Sequence, residues 1–128
     1  MSSTSDVDKL CRQGRRLLRD GKHADAVGVF QQVIAADEHH VPAREALAAA
    51  FFSLDDYDAA IATYTEITRL DPRQGRALVN LGAIYNRKRD FAKAIDVLMA
   101  GVQLHRKQMN REAKWGRTSS SAPQSSNG

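Results

Sequence analysis

The chain has 128 residues, of which 42% are hydrophobic and 27% are charged, and its formal net charge is +4. These values fit one ordinary domain with a modest core, and the length excludes two independent domains. Residues 1–8 hold no apolar run behind a basic start, and no stretch approaches the roughly 18 apolar residues of a membrane span. A cytoplasmic location is therefore expected. Cys11 is the only cysteine, which excludes an intramolecular disulfide and a zinc site built from several cysteines.

Over residues 7–108, the sequence repeats itself with a fixed period of about 34 residues. Small residues, alanines and large residues each recur at this step, as the following triplets show: Gly14, Ala48 and Gly82; Ala26, Ala60 and Ala94; Phe30, Tyr64 and Leu98. The period predicts a flexible N-terminus over 1–6, followed by repeats over 7–40, 41–74 and 75–108.

Within each repeat, two stretches with helical apolar spacing flank a short polar break. The breaks lie at 19–22, 54–57 and 88–91 and contain Gly or Asp residues. Each repeat is therefore predicted to be a helix hairpin. Small residues let the paired helices approach closely, and we expect four aromatic residues to fill the spaces between the helices: Phe51, Tyr64, Tyr85 and Phe91.

Beyond the third repeat, the sequence predicts two segments that do not belong to the hairpins. Residues 109–117 lack a helix breaker until Gly116, so they are expected to extend the last helix or to cover the open end of the array through Trp115. Residues 118–128 are rich in serine and contain no large apolar residue. Such a segment cannot offset its ordering entropy, which predicts a disordered tail.

The repeats resemble the tetratricopeptide repeat (TPR) family, whose pattern has a small residue at the eighth position, an aromatic at the eleventh, Ala at the twentieth and Pro near the end. The second repeat carries Ala48, Phe51, Ala60 and Pro72, and the third carries Gly82, Tyr85 and Ala94. The first repeat has Gly14 and Ala26 but Glu38 where Pro is usual. The resemblance implies an all-α fold, an α-solenoid of three hairpins in a right-handed superhelix with a concave groove.

In this family the first helix of each hairpin lines the groove and binds a partner protein. The resemblance therefore implies a set of peptide-binding positions, spaced by three and four residues so that they share one helix face. They are Cys11, Arg12, Arg15 and Arg19 in repeat one, Glu45, Ala49 and Phe52 in repeat two, and Arg76, Val79, Asn80, Ala83 and Arg87 in repeat three, with Asp8, Ala46 and Ser53 beside them.

Charge differs between the repeats, and this difference bears on the ligand. Repeat one has six basic and five acidic residues, repeat two has three and six, and repeat three has seven and two, for net charges of +1, −3 and +5. The groove positions hold mainly Arg, which binds carboxylates in a bidentate manner and favours an acidic or C-terminal peptide. The alternative is that these arginines only keep a helix face solvated. Phe52, as an exposed apolar anchor, favours binding.

One subset of the family binds chaperone C-termini through a clamp of Lys, Asn, Asn, Lys and Arg. The matching positions here are Cys11, Arg15, Ala46, Arg76 and Asn80. Only Arg76 is chemically close to the family residue, so this clamp is not predicted.

Catalytic, metal and cofactor sites are not predicted. No convergent set of nucleophile, base and charge stabiliser is present in the sequence, nor is a phosphate-binding glycine motif. His39 and His40 point apart at a helix start and lack further ligands for a metal. The acidic residues Asp55, Asp56 and Asp58 are placed to cap a helix rather than to bind calcium. The sequence therefore favours a protein-binding scaffold, adaptor or co-chaperone-like module over an enzyme.

Two alternative functions remain open at the sequence level. The first is self-assembly, in which the end faces of a short solenoid stack into homo-oligomers. The second is nucleic-acid binding through a basic cluster, which lacks interleaved aromatics other than Trp115 and lies beside the acidic second repeat. This cluster consists of Lys88, Arg89, Lys93, Arg106, Lys107, Arg111 and Lys114.

Overall fold

The computed structural model describes residues 4–125, with side chains described for residues 5–114. Residues 4–125 form α-helices and no strand. The helices are α1 (Thr4–Arg19), α2 (His23–Ala36), α3 (Val41–Ser53), α4 (Tyr57–Leu70), α5 (Gly75–Arg87) and α6 (Phe91–Ser125). In this part of the chain, no helix has the length and apolar character needed to cross a membrane.

Consecutive helices pack against each other along the whole chain, and the predicted α-solenoid of helix hairpins is confirmed. The hairpins are α1–α2, α3–α4 and α5–α6, while α2 packs on α3 and α4 packs on α5. Two buried clusters hold the array together, one around Phe30, Val33 and Leu47 and the other around Ile67 and Leu81. Helix α1 also contacts α3, so the first helices of the first two hairpins are neighbours.

Each hairpin is held by a small residue on its first helix that faces a large residue on its second helix. A Cβ atom added to Gly14 would lie 2.6 Å from Cζ of Phe30, and one added to Gly82 would lie 2.5 Å from Cγ of Leu98. In the middle hairpin the small residue is Ala48, which is fully buried. The repeat period thus reflects a close approach of two helix backbones, which larger residues would prevent.

The turn inside each hairpin also repeats. Gly21, Asp55 and Arg89 stand one repeat period apart, and all three have positive φ angles, of 77°, 59° and 66°. A left-handed residue of this kind commonly ends an α-helix, and it costs least at glycine. The next helix then begins with a cap where Asp56 accepts a hydrogen bond from the backbone N–H of Ala59 at 3.3 Å. The predicted capping role is confirmed for Asp56.

The helices reach into both terminal segments of the chain. Helix α1 begins at Thr4, within the segment 1–6 for which the sequence predicts flexibility. Helix α6 extends through 109–117, which is one of the two alternatives predicted for that segment, and on to Ser125 in the serine-rich segment. Between Phe91 and Pro123 the only strong interruption is glycine, which a helix tolerates. The side chain of Trp115 and residues 126–128 lie outside the described residues.

One predicted core residue is also misplaced. Phe91 was expected to fill space between helices, but 51% of it is exposed on α6. Tyr64 is buried, and Phe51 and Tyr85 are half-buried against the clusters, as expected. Phe91 differs because it belongs to the last helix, which has no following helix among the described residues.

The two close glycines provide a test of this packing. In Gly14→Ala the new methyl group meets Phe30, which is 1% exposed and cannot move, so the free energy of unfolding should fall by about 1–3 kcal/mol. In Gly82→Ala it meets Leu98, which is 39% exposed and can turn outward. The gain in helix propensity, about 1 kcal/mol, then offsets the strain. Urea unfolding followed by circular dichroism measures both values, and equal stability of the two variants would contradict this account.

Candidate functional site

Helices α1, α3 and α5 carry residues at equivalent positions of the repeat, and we call the surface that these residues form the groove. The repeat step aligns Arg12 with Ala46 and Asn80, Arg15 with Ala49 and Ala83, and Arg19 with Ser53 and Arg87. The middle helix therefore contributes only small residues to these three rows. The arginines of α1, together with Arg76 and Arg87 of α5, are exposed. The groove has a floor of small side chains on α3 with arginines on both sides.

A small cavity opens where α3, α4 and α5 meet. Its volume is about 60 Å³, and Phe52, Tyr64, Asn80, Ala83 and Ile84 line it. A space of this size holds a few water molecules or a small apolar side chain. The cavity therefore gives the groove a pocket between the second and third repeats.

The pocket has an aromatic wall with a cation at its rim. The ring of Phe52 lies 5.7 Å from that of Tyr57 at a tilt of 49°, and the guanidinium carbon of Arg87 lies 5.6 Å from the centre of the Phe52 ring. Such a cation–π contact holds the arginine over the ring, and its guanidinium group also interacts with the hydroxyl group of Tyr57. An apolar group in the pocket would thus lie beside a positive charge.

Hydrogen bonds tie the other end of the groove together. Glu45 on α3 accepts a hydrogen bond from the side chain of Gln74 at 2.9 Å, and its second carboxylate oxygen lies 3.5 Å from a guanidinium nitrogen of Arg76. Arg76 remains 71% exposed, so this ion pair is a weak one. The carboxylate positions Arg76 at the start of α5 without removing it from solvent.

The phenol of Tyr64 forms the base of the pocket. Burial raises its pKa above the ordinary value, and the Glu45 carboxylate raises it further, while Arg76 and a hydrogen bond with Asn80 act in the opposite direction. The hydroxyl group therefore stays protonated at neutral pH. It can donate a hydrogen bond to a ligand atom in the pocket.

The structure brings several of the predicted groove residues into direct contact or around one cavity: Glu45 with Arg76, and Phe52 with Asn80, Ala83 and Arg87. Val79 is 53% exposed, and Ala49 is also exposed. Phe52 was expected to be an exposed anchor or to be buried against repeat three. It is half-buried and borders the pocket on the side of repeat three.

Cys11 does not belong to the groove, and the prediction that it does is wrong. It is 5% exposed in the core cluster of the first repeat, with its Sγ atom 3.7 Å from Nε2 of His40. Burial raises the pKa of the Cys11 thiol, with Arg15 lowering it and Asp8 raising it to smaller extents. The small thiol is buried, whereas the family resemblance implied that it faces the groove.

His40 has a structural role at the junction of repeats one and two. Its Nδ1 atom accepts a hydrogen bond from the backbone N–H of Ala43 at 3.0 Å and so caps α3. The neutral ring then carries its proton on Nε2, which faces Cys11. Both ring nitrogens are engaged, and within the described residues no group of three or more His, Cys, Asp or Glu side chains is placed to hold a metal ion.

The sequence reasoning missed the pocket residues Tyr64 and Ile84, and it missed Tyr57, whose ring packs against Phe52. Tyr64 was treated as core because it aligns with Phe30 and Leu98. The signal lay in its hydroxyl group, since it is the one polar member of that series and a buried phenol needs a hydrogen-bond partner. That partner, Asn80, was already predicted to face the groove.

Thiol labelling tests the position of Cys11. A buried thiol with a raised pKa should react with a disulfide reagent at neutral pH at least about tenfold more slowly in the folded protein than after unfolding in urea. Labelling is followed by absorbance, with an unstructured cysteine peptide as the reference. A folded-state rate close to that of the peptide would place Cys11 back in the groove.

The sequence matches the family model described as "Tetratricopeptide repeat" twice, over residues 11–72 and over residues 46–108. The two matches together cover 11–108, which is well over half of the chain. No curated protein sequence matches the chain.

Several solved structures are similar in fold. MamA superposes with a TM-score of 0.78 at 19% identity, over 81% of this chain and 61% of MamA. The Yersinia enterocolitica type III secretion translocator chaperone SycD gives 0.75 at 24% identity, over 80% and 76%. The second TPR domain of Spaghetti (RPAP3) gives 0.70 at 19% identity, over 77% and 91%. At these identities the likeness concerns the fold, and this chain spans less than two thirds of MamA.

Proposed function

The chain belongs to the tetratricopeptide repeat family, and we propose that it is a non-catalytic module that binds an acidic peptide segment of a partner protein in its groove. The observation that carries this proposal is the floor of small residues on α3 between arginines of α1 and α5. A floor of Ala46, Ala49 and Ser53 leaves room for a peptide backbone. The arginines on either side then meet its carboxylates.

The pocket adds a second requirement to the ligand. An apolar side chain that enters between Phe52 and Ala83 gains contact with the aromatic wall and displaces water from a half-enclosed space. Arg87 stands at the rim, so an Asp or Glu next to that apolar residue would be bound by its guanidinium group. The preferred ligand thus has an apolar residue with acidic neighbours, in an extended or helical segment.

Structural relatives support a protein-binding role. The RPAP3 domain is bound to the HSP90 peptide SRMEEVD, which contains three acidic residues, and other relatives are the chaperone SycD and the CopN–Scc3 complex. The groove chemistry here differs from the clamp of the chaperone-tail binders, since Cys11 is buried and Ala46 offers no hydrogen-bonding group. An internal acidic segment is therefore a better candidate than a chaperone C-terminus.

Two features argue against nucleic acid as the ligand. Within the basic cluster, Lys88 contacts Asp58 and Lys93 lies 3.8 Å from Asp90, so acidic side chains screen two of its cations. The apolar pocket also lies in the groove and not in that cluster. A cytoplasmic location stays a prediction.

Peptide selection with a blocked variant tests the proposal. A random peptide library is displayed to the wild-type protein, and the enriched peptides are measured by fluorescence anisotropy. Peptides with an apolar residue beside Asp or Glu should be enriched. Ala83→Trp, which fills the pocket from an exposed position, should weaken their binding at least about tenfold. Ala62→Trp on α4 is the matched control, because it adds the same side chain at an exposed alanine that does not line the pocket.

A pair of charge reversals on α1 tests the arginine wall. Arg19→Glu changes the groove, whereas Arg16→Glu makes the same substitution outside the three groove rows, and both side chains are exposed. Only Arg19→Glu should weaken peptide binding, and added salt should weaken the wild-type complex. If no peptide is enriched over the Ala83→Trp background, or if the enriched peptides bind all four variants equally, the groove is not the binding site.

A further inference from the structure

Helix α6 carries a stripe of exposed apolar side chains, which we call the α6 stripe. Its members are exposed by 39–60%: Phe91, Ile95, Leu98, Met99, Val102 and Met109. They recur at helical spacing, so they lie on one face from Phe91 to Met109, a length of about 27 Å at the rise of an α-helix. Scattered apolar residues are ordinary on a surface, but five large apolar side chains on one face between Phe91 and Val102, with Met109 beyond His105 and Arg106, indicate an interaction site.

The equivalent faces of α2 and α4 show how such a helix face packs elsewhere in the chain. Ile95 aligns with Ile61 and Val27, and both of these pack against the clusters that contain the first helix of the following hairpin. Val102 aligns with Ile34, which packs in the same way. The part of the α6 stripe around Ile95 and Val102 therefore corresponds to the surface on which α2 and α4 receive the next helix, and among the described residues no helix follows α6.

The opposite end of the array does not complement the stripe. Helices α3 and α5 each place a buried alanine and a buried leucine against the preceding hairpin, namely Ala43 and Leu47 on α3 and Ala77 and Leu81 on α5. At the equivalent positions α1 has Lys9 and Gln13. Ala50 and Ile84 are likewise replaced by Arg16. All three residues of α1 are exposed. Head-to-tail stacking would bury two cations against the stripe without partners, which is strongly unfavourable.

We infer that the α6 stripe binds the α6 stripe of a second copy of this chain, in an antiparallel pair with a two-fold axis near residue 100. Each stripe is then covered by an identical one, as closed two-fold symmetry requires. The site goes beyond the proposed function, because it lies on the last helix and leaves the groove open.

Charge selects the antiparallel arrangement. Between residues 101 and 114, α6 carries four basic residues against Glu112, whereas between residues 91 and 100 it carries only Lys93 and Asp96. A parallel pair would place the four basic residues of both copies side by side, with repulsion between them. An antiparallel pair separates them and brings Asp96 within about one helical turn of Arg106 in the second copy. The four basic residues are Arg106, Lys107, Arg111 and Lys114.

The area of the stripe sets the strength of the pair. Six large side chains, each about half exposed, present on the order of 500 Å² of apolar surface per copy, somewhat below the roughly 800 Å² per partner of a standard interface. A reversible dimer that forms with rising concentration is therefore expected, rather than a permanent one.

Sedimentation equilibrium of the full chain tests the pair, from about 10 µM to about 1 mM. The wild-type mass should rise from one copy toward two and not beyond. Ile95→Glu and Val102→Glu place a carboxylate at exposed stripe positions and should raise the dissociation constant at least about tenfold, with helicity unchanged by circular dichroism. Arg16→Glu at the α1 end is the matched control and should dimerise like the wild type.

Crosslinking then tests the antiparallel geometry. With a bismaleimide of about 10 Å reach, Met99→Cys should form a crosslinked dimer because it lies close to the axis. Phe91→Cys should not, because the two copies of residue 91 would lie more than about 25 Å apart. The wild type, with its single buried Cys11, gives the background. A monomer at every concentration, a mass that grows beyond two copies, or equal crosslinking at both positions would each overturn the inference.

Discussion

The close approach of the two helices in each hairpin is the constraint on which the rest of the structure depends. A Cβ atom at Gly14 would lie 2.6 Å from the side chain of Phe30, and one at Gly82 would lie 2.5 Å from that of Leu98. Because the same contact recurs once in every repeat, the hairpins stack with a constant step, and equivalent residues of α1, α3 and α5 fall into rows. A binding surface made of such rows needs no catalytic geometry. The specificity of this binding surface depends on the type of residue at each position of a row.

The fold could be predicted from the sequence because the repeat period is visible in residue size alone. The hairpin turns were also readable, since Gly21, Asp55 and Arg89 share one register, although the positive φ of Arg89 could not be foreseen from its residue type. The site was only partly predictable. The family resemblance supplies the groove positions, but it does not distinguish an exposed position from a buried one in this chain, which is why Cys11 was misplaced. The extension of α6 through 109–117 was one of two predicted alternatives, since this segment lacks a helix breaker until Gly116.

The surfaces of the solenoid differ in chemistry, and each difference follows from local residue choice. The groove combines small residues, arginines and a pocket with a protonated phenol at its base. The α1 end carries Lys9 and Arg16 and so resists stacking, whereas the α6 end carries an apolar stripe. Ligand binding and self-association can therefore proceed on separate faces. Since α5 lines the groove and packs on α6, it connects the two faces through one helix.

The central claim is that the groove between α1, α3 and α5 binds the partner. The most direct measurement is a nuclear magnetic resonance titration of the ¹⁵N-labelled protein with a selected acidic peptide, followed through backbone amide shifts. The account predicts that the largest shifts cluster on α3 and α5 around Ala49, Phe52 and Ala83, with smaller shifts at Arg15 and Arg19 on α1. Shifts concentrated on the α6 stripe or on the exposed faces of α2 and α4, with the groove unchanged, would contradict it.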